Sequence, residues 1–252
     1  MNIEQANLPR VTYTNTASDF EPLQKMMDAE LPRFRQQLGA HWSNRIEGRN
    51  DDEGTRYECR SPIDRRLLLA TGTEPSPAAI RRAVAAARRG ADVWGQMRWQ
   101  ERVVAMRRFA RVLDAHKYKL AMAVLYETGK MRLEALGETE EAVALIEHYC
   151  DQMEANNGFI HDPVTAGSGE KAQVVLRPYG VFAVISPFNY PTALVAGMVG
   201  AALVTGNAVI LKASPQAVLT AGMFTAAVEE AKLPPGTFNL LCGEASGPLL
   251  VN

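Results

Sequence analysis

The stretch Gly180–Lys212, GVFAVISPFNYPTALVAGMVGAALVTGNAVILK, decides the fold. Two short apolar runs, Val181 to Ile185 and Ala208 to Leu211, enclose a small-residue helical segment from Pro191 to about Thr205. The alternation continues with a helix from about Pro215 to Ala231, a strand from Phe238 to Leu241, and a helix beginning near Gly247. Short apolar strands alternating with helices read as a parallel sheet with right-handed crossovers. Residues 180–252 are therefore expected to form a βαβαβ half of a doubly wound, Rossmann-like α/β fold. In such sheets ligands gather at the carboxyl ends of the strands, where helix N-termini also point. Lys212 ends the second strand on that rim, and SPFNYP follows the first. Spacing alone leaves two readings of Lys212, a contact to a ribose hydroxyl or phosphate and a solvated strand end; Asn189 is likewise open as a turn residue. The fingerprint G-x-G-x-x-G is absent after the first strand, so periodicity does not establish a dinucleotide site.

Working outward, residues 1–75 carry a short helical piece near Glu21 to Leu38 and then strand or loop segments, with no visible chemistry. Residues 76–156 read as a helical layer. Ser76 is placed as an N-cap with Pro77 at the first helical position, and Ile80, Val84, Ala87 and Ala91 follow at helical spacing. One or two helices come next, with Val103, Met106, Phe109 and Leu113 on one face and Gly129 as the stop. A further helix covers about Met131 to Ala155, with Leu136, Val143, Ile146 and Tyr149 inward. Residues 157–179 read as a β-hairpin around the turn-rich TAGSGEK.

Composition narrows the class. The chain has 252 residues, 47% hydrophobic and 22% charged, with a net charge of -1, which gives no electrostatic footprint for nucleic acid or acidic membranes. The pairs Arg65-Arg66, Arg81-Arg82 and Arg88-Arg89 read as solvated faces. Cys59, Cys150 and Cys242 are far apart with no C-x-x-C, which argues against a disulfide framework or a structural zinc and fits a reducing cytoplasm. No apolar run reaches the roughly 20 residues that span a bilayer.

The motifs GVFAVISPFNYP, TGNAVILKASP and LPPGTFNLLCG, in this order, resemble those of the NAD(P)-dependent aldehyde dehydrogenase superfamily. NRIEGR and the segments from Ser61 to Met97 and from Glu101 to Lys130 resemble its N-terminal helical layer. LYETGKMRLEALGETEEAVALIEHYC is similar to the branch acting on glutamate semialdehyde, the 1-pyrroline-5-carboxylate dehydrogenases. The resemblance implies a cysteine thiolate attacking an aldehyde, an oxyanion hole, hydride transfer to NAD or NADP and a glutamate-activated water. It makes Asn189 the oxyanion-hole amide, Lys212 the adenosine-ribose contact, and Ile185, Ser186, Pro187 and Phe188 the cofactor wall, with Ser214 on the same rim. Gly243 and Gly247 fall at the pyrophosphate turn, although GEASG is short for it. The hairpin resembles the family's oligomerisation arm, implying a homo-oligomeric complete protein.

Several departures qualify this. Many members carry a ribose-binding glutamate three residues after the lysine, where Pro215 stands here, so NAD and NADP remain equal. The family's nucleophile and base lie downstream of the last motif. Cys59 precedes the fold core, Cys150 falls in a helix and Cys242 reads as a small buried strand residue, while Glu127, Glu134 and the other helical carboxylates read as solvated faces. The expectation is thus the N-terminal, cofactor-binding part of an aldehyde dehydrogenase acting on a small-molecule aldehyde, truncated and inactive alone. The alternative is a non-catalytic nucleotide-binding or oligomerisation module. A sheet stopped after three strands would expose apolar edges.

Overall fold

The computed structural model describes residues 9–12, 20–162 and 172–251. The chain enters through α1 (Glu21–Arg35) and a run of short strands, β1 (Ala40–Trp42), β2 (Asn44–Ile46), β3 (Arg49–Asp51), β4 (Gly54–Arg60) and β5 (Leu68–Pro75). The helical layer follows: α2 (Pro77–Gln96), α3 (Trp99–Ala115), α4 (Lys117–Thr128) and α5 (Arg132–Ala155). Ser76 caps α2 as its sequence predicts, its side chain accepting from Ala79 N at 3.1 Å with Pro77 at the first position. Gly129 ends α4 in the left-handed conformation, φ 78°, which costs a glycine nothing sterically. The exposed arginines of α2 pair outward, Arg82 with Asp51 and Glu53 and Arg89 with Glu47, so these runs are solvated faces.

A hairpin of β6 (Ile160–His161) and β7 (Val174–Val175) leads on, paired antiparallel with Ile160 opposite Val175. Its expected turn, residues 165–171, lies outside the described residues. The alternating segment is then β8 (Val181–Ile185), α6 (Ala193–Val204), β9 (Ala208–Lys212), α7 (Val218–Glu230), β10 (Phe238–Leu241) and α8 (Ser246–Val251). β8 pairs parallel with β9 and β9 with β10, as the sequence pattern requires.

Two expectations are corrected. The sheet does not stop at three strands: β2 pairs antiparallel with β10 and β3 with β2, giving the order β3-β2-β10-β9-β8. The N-terminal segment thus covers the β10 edge, and Asn44, fully buried, ties the two by accepting from Cys242 N at 2.8 Å. β4 and β5 form a separate sheet with β1.

The second correction concerns the helical carboxylates. Glu134 is exposed as expected, but Glu127, Glu138 and Glu140 are buried. Their burial has a physical cause in the crossover helices. α6 and α7 are apolar and start in buried residues, although α6 exposes Leu194 and Met198, and neither has a side-chain N-cap of its own. The first backbone N–H groups of a helix have no intrahelical acceptor, and each costs about 1–3 kcal/mol if buried unpaired. Glu138 of α5 accepts from Thr192 N (2.8 Å) and Ala193 N (3.3 Å), and Glu127 of α4 accepts from Leu219 N (2.7 Å) and Thr220 N (2.9 Å).

The other ends are treated in kind. Arg102 of α3, itself buried, donates to Val204 O at 3.2 Å and Trp94 Nε1 donates to Leu203 O at 2.7 Å, both at the end of α6. Arg108 of α3 donates to Ala231 O at 2.6 Å at the end of α7. Acid at the N-terminus and base at the C-terminus match the sign of each helix dipole.

Tight backbone contact closes the other face of the sheet. A Cβ on Gly90 of α2 would lie 2.2 Å from the carbonyl carbon of Gly236, in the turn before β10. Gly90→Ala therefore separates α2 from the sheet and lowers stability in denaturant titration by about 1–3 kcal/mol or more; a change within about 0.5 kcal/mol would show that the contact yields freely.

Burial raises the Glu127 carboxyl to about 7, against the opposing pull of its N–H donors. Between the ordinary value of 4.5 and about 7 the folded chain keeps a proton that the unfolded chain releases. Stability from this group is fullest below that window and falls as pH rises through it. Glu127→Gln removes the titration, so between pH 5 and 7.5 the variant should gain on the wild type by about 2 kcal/mol; parallel stability curves would contradict this.

Candidate functional site

The sequence-derived residues converge on the carboxyl ends of β8, β9 and β10. Ile185 lies opposite Lys212 in the parallel register. Ser186, buried, donates from both N and Oγ to Lys212 O at 3.1 and 3.3 Å, fastening the start of the SPFNYP loop to the end of β9. Pro187 is half-buried, whereas Phe188 and Asn189 project to the surface; Ile185 and Phe188 are 46% and 52% exposed. An apolar wall is thus open beside an amide.

Lys212 is only 8% exposed, so the solvated-strand-end reading does not describe it. Among the described residues its ammonium has no hydrogen-bond or ion-pair partner. The side chain is packed along its length while its ammonium keeps its donors unused, so it can meet a ligand that brings hydroxyl or phosphate oxygens. Ser214 accepts from Gln216 N at 3.3 Å and thereby shapes the turn into α7.

The loop bearing Asn189 is held at its far end by α5. Glu138 there is 2% exposed, and its second oxygen takes Lys130 Nζ at 2.6 Å. The same ammonium stands 3.3 Å from the centre of the Tyr190 ring. Neither residue was singled out in the sequence for this loop, because the contact joins segments remote in the chain.

After β10 the turn differs. Gly243 has φ +88°, and a Cβ there would strike the Glu74 carboxylate. Glu74 accepts from Glu244 N and Ala245 N, both at 2.8 Å. These amides of the GEASG turn are therefore held by the chain's own carboxylate, while Gly247 has open space around its α-carbon.

None of the cysteines behaves as a nucleophile. All three are buried. Burial pushes the thiols of Cys150 and Cys242 up to about 12, and that of Cys59 upward as well, with the Glu127 charge adding to it. They stay protonated at neutral pH, and the thiolate is the reactive form. Cys59 does not stand outside the core: its thiol donates to Glu127 Oε1 at 3.7 Å and to Gln216 O at 3.5 Å. These groups line a recess of about 350 Å³ beside Phe188 and Pro215.

Glu127 had a signal in the sequence. It stands in the last turn of α4, where a carboxylate opposes the helix dipole, after the apolar run LAMAVLY. An acid so placed requires a partner elsewhere.

The aldehyde dehydrogenase family model matches residues 49–252. The 1-pyrroline-5-carboxylate dehydrogenase of Bacillus subtilis is 31% identical over 211 residues, which are 83% of this chain and 40% of the relative. The N-succinylglutamate 5-semialdehyde dehydrogenase of an Enterobacter is 34% identical over 191 residues, 76% of this chain and 38% of the relative. A solved 1-pyrroline-5-carboxylate dehydrogenase from Thermus with bound NAD superposes with a TM-score of 0.88 at 26% identity, covering 100% of this chain and 48% of that one. The chain spans about two fifths of the length of these curated relatives. With its parallel sheet, its crossovers and a family match over most of its length, the chain belongs to the aldehyde dehydrogenase family.

Proposed function

We propose that these residues form the cofactor-binding part of an NAD(P)-dependent aldehyde dehydrogenase that oxidises glutamate semialdehyde, the open form of 1-pyrroline-5-carboxylate, to the acid, in the cytoplasm. The observation that carries the reading is Lys212, a largely buried side chain whose ammonium has no partner among the described residues, beside an open apolar wall, with Asn189 exposed on the next loop. Both named curated relatives, by their names, act on aldehydes of the glutamate series.

Each residue has a definable task. Lys212 donates hydrogen bonds to the ribose hydroxyls. Ile185, Pro187 and Phe188 pack the cofactor and exclude water. The Asn189 amide donates to the carbonyl oxygen, where negative charge grows as a nucleophile attacks; such a donor is worth about 10²–10³ in turnover. Bound nicotinamide accepts the hydride. Pro215 offers neither a carboxylate nor an N–H at the position three residues beyond Lys212, so a 2'-phosphate meets no repulsion there and both NAD and NADP are accepted. Because Cys59, Cys150 and Cys242 are buried and protonated, the nucleophile is supplied from outside these residues, as is the base. The hairpin of residues 157–179 serves as the oligomerisation arm.

Calorimetric titration of the chain with NAD and NADP tests this. Saturable binding is expected, weakened tenfold or more in Lys212→Ala, in keeping with the roughly 1.5–3 kcal/mol of a charged hydrogen bond, and unchanged in Asn189→Ala. A folded chain that binds neither cofactor, or a variant that binds as tightly as the wild type, would overturn the assignment.

A further inference from the structure

We infer that Lys130 and Glu138, from outside the sheet, are the positioning residues that hold the Asn189 amide in place; this rests on the reading of Asn189 given above. The loop from Ser186 to Thr192 has two anchored ends and an exposed middle. At the first end Ser186 is fastened by two hydrogen bonds to Lys212 O. At the second, Glu138 Oε1 receives Thr192 N and Ala193 N, while Oε2 receives the Lys130 ammonium. That ammonium also sits on the face of Tyr190, the residue next to Asn189.

The arrangement is more than packing. Lys130 is half of a buried ion pair, with side chains 10% and 1% exposed. Such a pair is held to one geometry, because removing either charge leaves the other uncompensated. A cation over a tyrosine face at 3.3 Å fixes the ring through electrostatic attraction. Buried Thr192 cannot take over as the cap, since it makes no side-chain cap bond and its Oγ1 finds no partner. The backbone before Asn189 is therefore fixed to the cofactor rim by Ser186 and the backbone after it by Lys130 and Glu138, which lie outside that rim, while its own side chain stays free to meet a substrate. A donor gains its catalytic effect by being aimed before charge develops, and a loop so anchored supplies that aim.

The test uses the ¹⁵N-labelled chain, comparing wild type with Lys130→Met, Lys130→Arg and Glu138→Gln. Backbone relaxation at Asn189 is read against relaxation in β9, and cooperative unfolding and cofactor titration are recorded alongside. The wild type and Lys130→Arg should show an Asn189 order parameter near the rigid value of about 0.85. Lys130→Met and Glu138→Gln should fall below about 0.6 at Asn189 while β9 stays rigid. Rescue by arginine separates the charge-held geometry from a general loss of packing. If Lys130→Met does not fold, Tyr190→Leu carries the same expectation, with Tyr190→Phe as its ordered control. An Asn189 as rigid in the folded Lys130→Met or Tyr190→Leu chain as in the wild type would overturn the inference. Absence of cofactor binding by the wild type would instead sink the functional reading and leave the loop result standing.

Discussion

The structure depends on one constraint: two buried, apolar crossover helices cannot end themselves. α6 and α7 have no side-chain caps of their own, yet the residues at their starts, Thr192 and Ala193 in one and Val218 to Thr220 in the other, are buried. An unpaired buried backbone group is costly, so the helical layer completes both. Glu138 and Glu127 take the N-termini; Arg102, Trp94 and Arg108 take the C-termini. One layer of helices thereby fixes where the two crossovers begin, and Asn189 and Lys212 lie just ahead of those two beginnings.

This explains how a rim can be open and still well placed. The apolar side chains of the SPFNYP loop face outward, which favours collapse or drift, but the loop is tied to β9 by Ser186 and to α5 through Thr192 and Ala193. The turn into α7 is tied to α4 through Glu127. The turn after β10 is closed differently, by Glu74 of β5 on two of its amides. Three carboxyl groups from three separate elements thus stand at the three helix starts of the parallel segment.

Much of this was legible in the residues. The strands Val181–Ile185 and Phe238–Leu241 fall where the apolar runs place them, because a short apolar run bounded by turn residues is a local pattern, whether the strand is the partly exposed edge, as the first is, or buried, as the second is. Ser76 and Gly129 act locally too, through a cap and a left-handed turn. What could not be read locally was missed. β2 and β3 are three residues each, too short to show a period, and β2, carrying β3 on its other edge, joins β10 from almost two hundred residues away. Glu138 in the polar run GETEE resembles a solvated acid, since its acceptor role is visible only once Thr192 lies beside it. For the site, sequence resemblance placed Asn189 and Lys212 on one rim, but not the Lys130 and Glu138 contacts that hold it.

Native-state hydrogen exchange at the amides of Thr192, Ala193, Leu219 and Thr220 tests the central claim most directly. Capped by buried carboxyl groups, these first-turn amides should exchange only with global unfolding, as slowly as those of β9. Exchange at the rate of frayed helix ends, while β9 stays protected, would contradict the account.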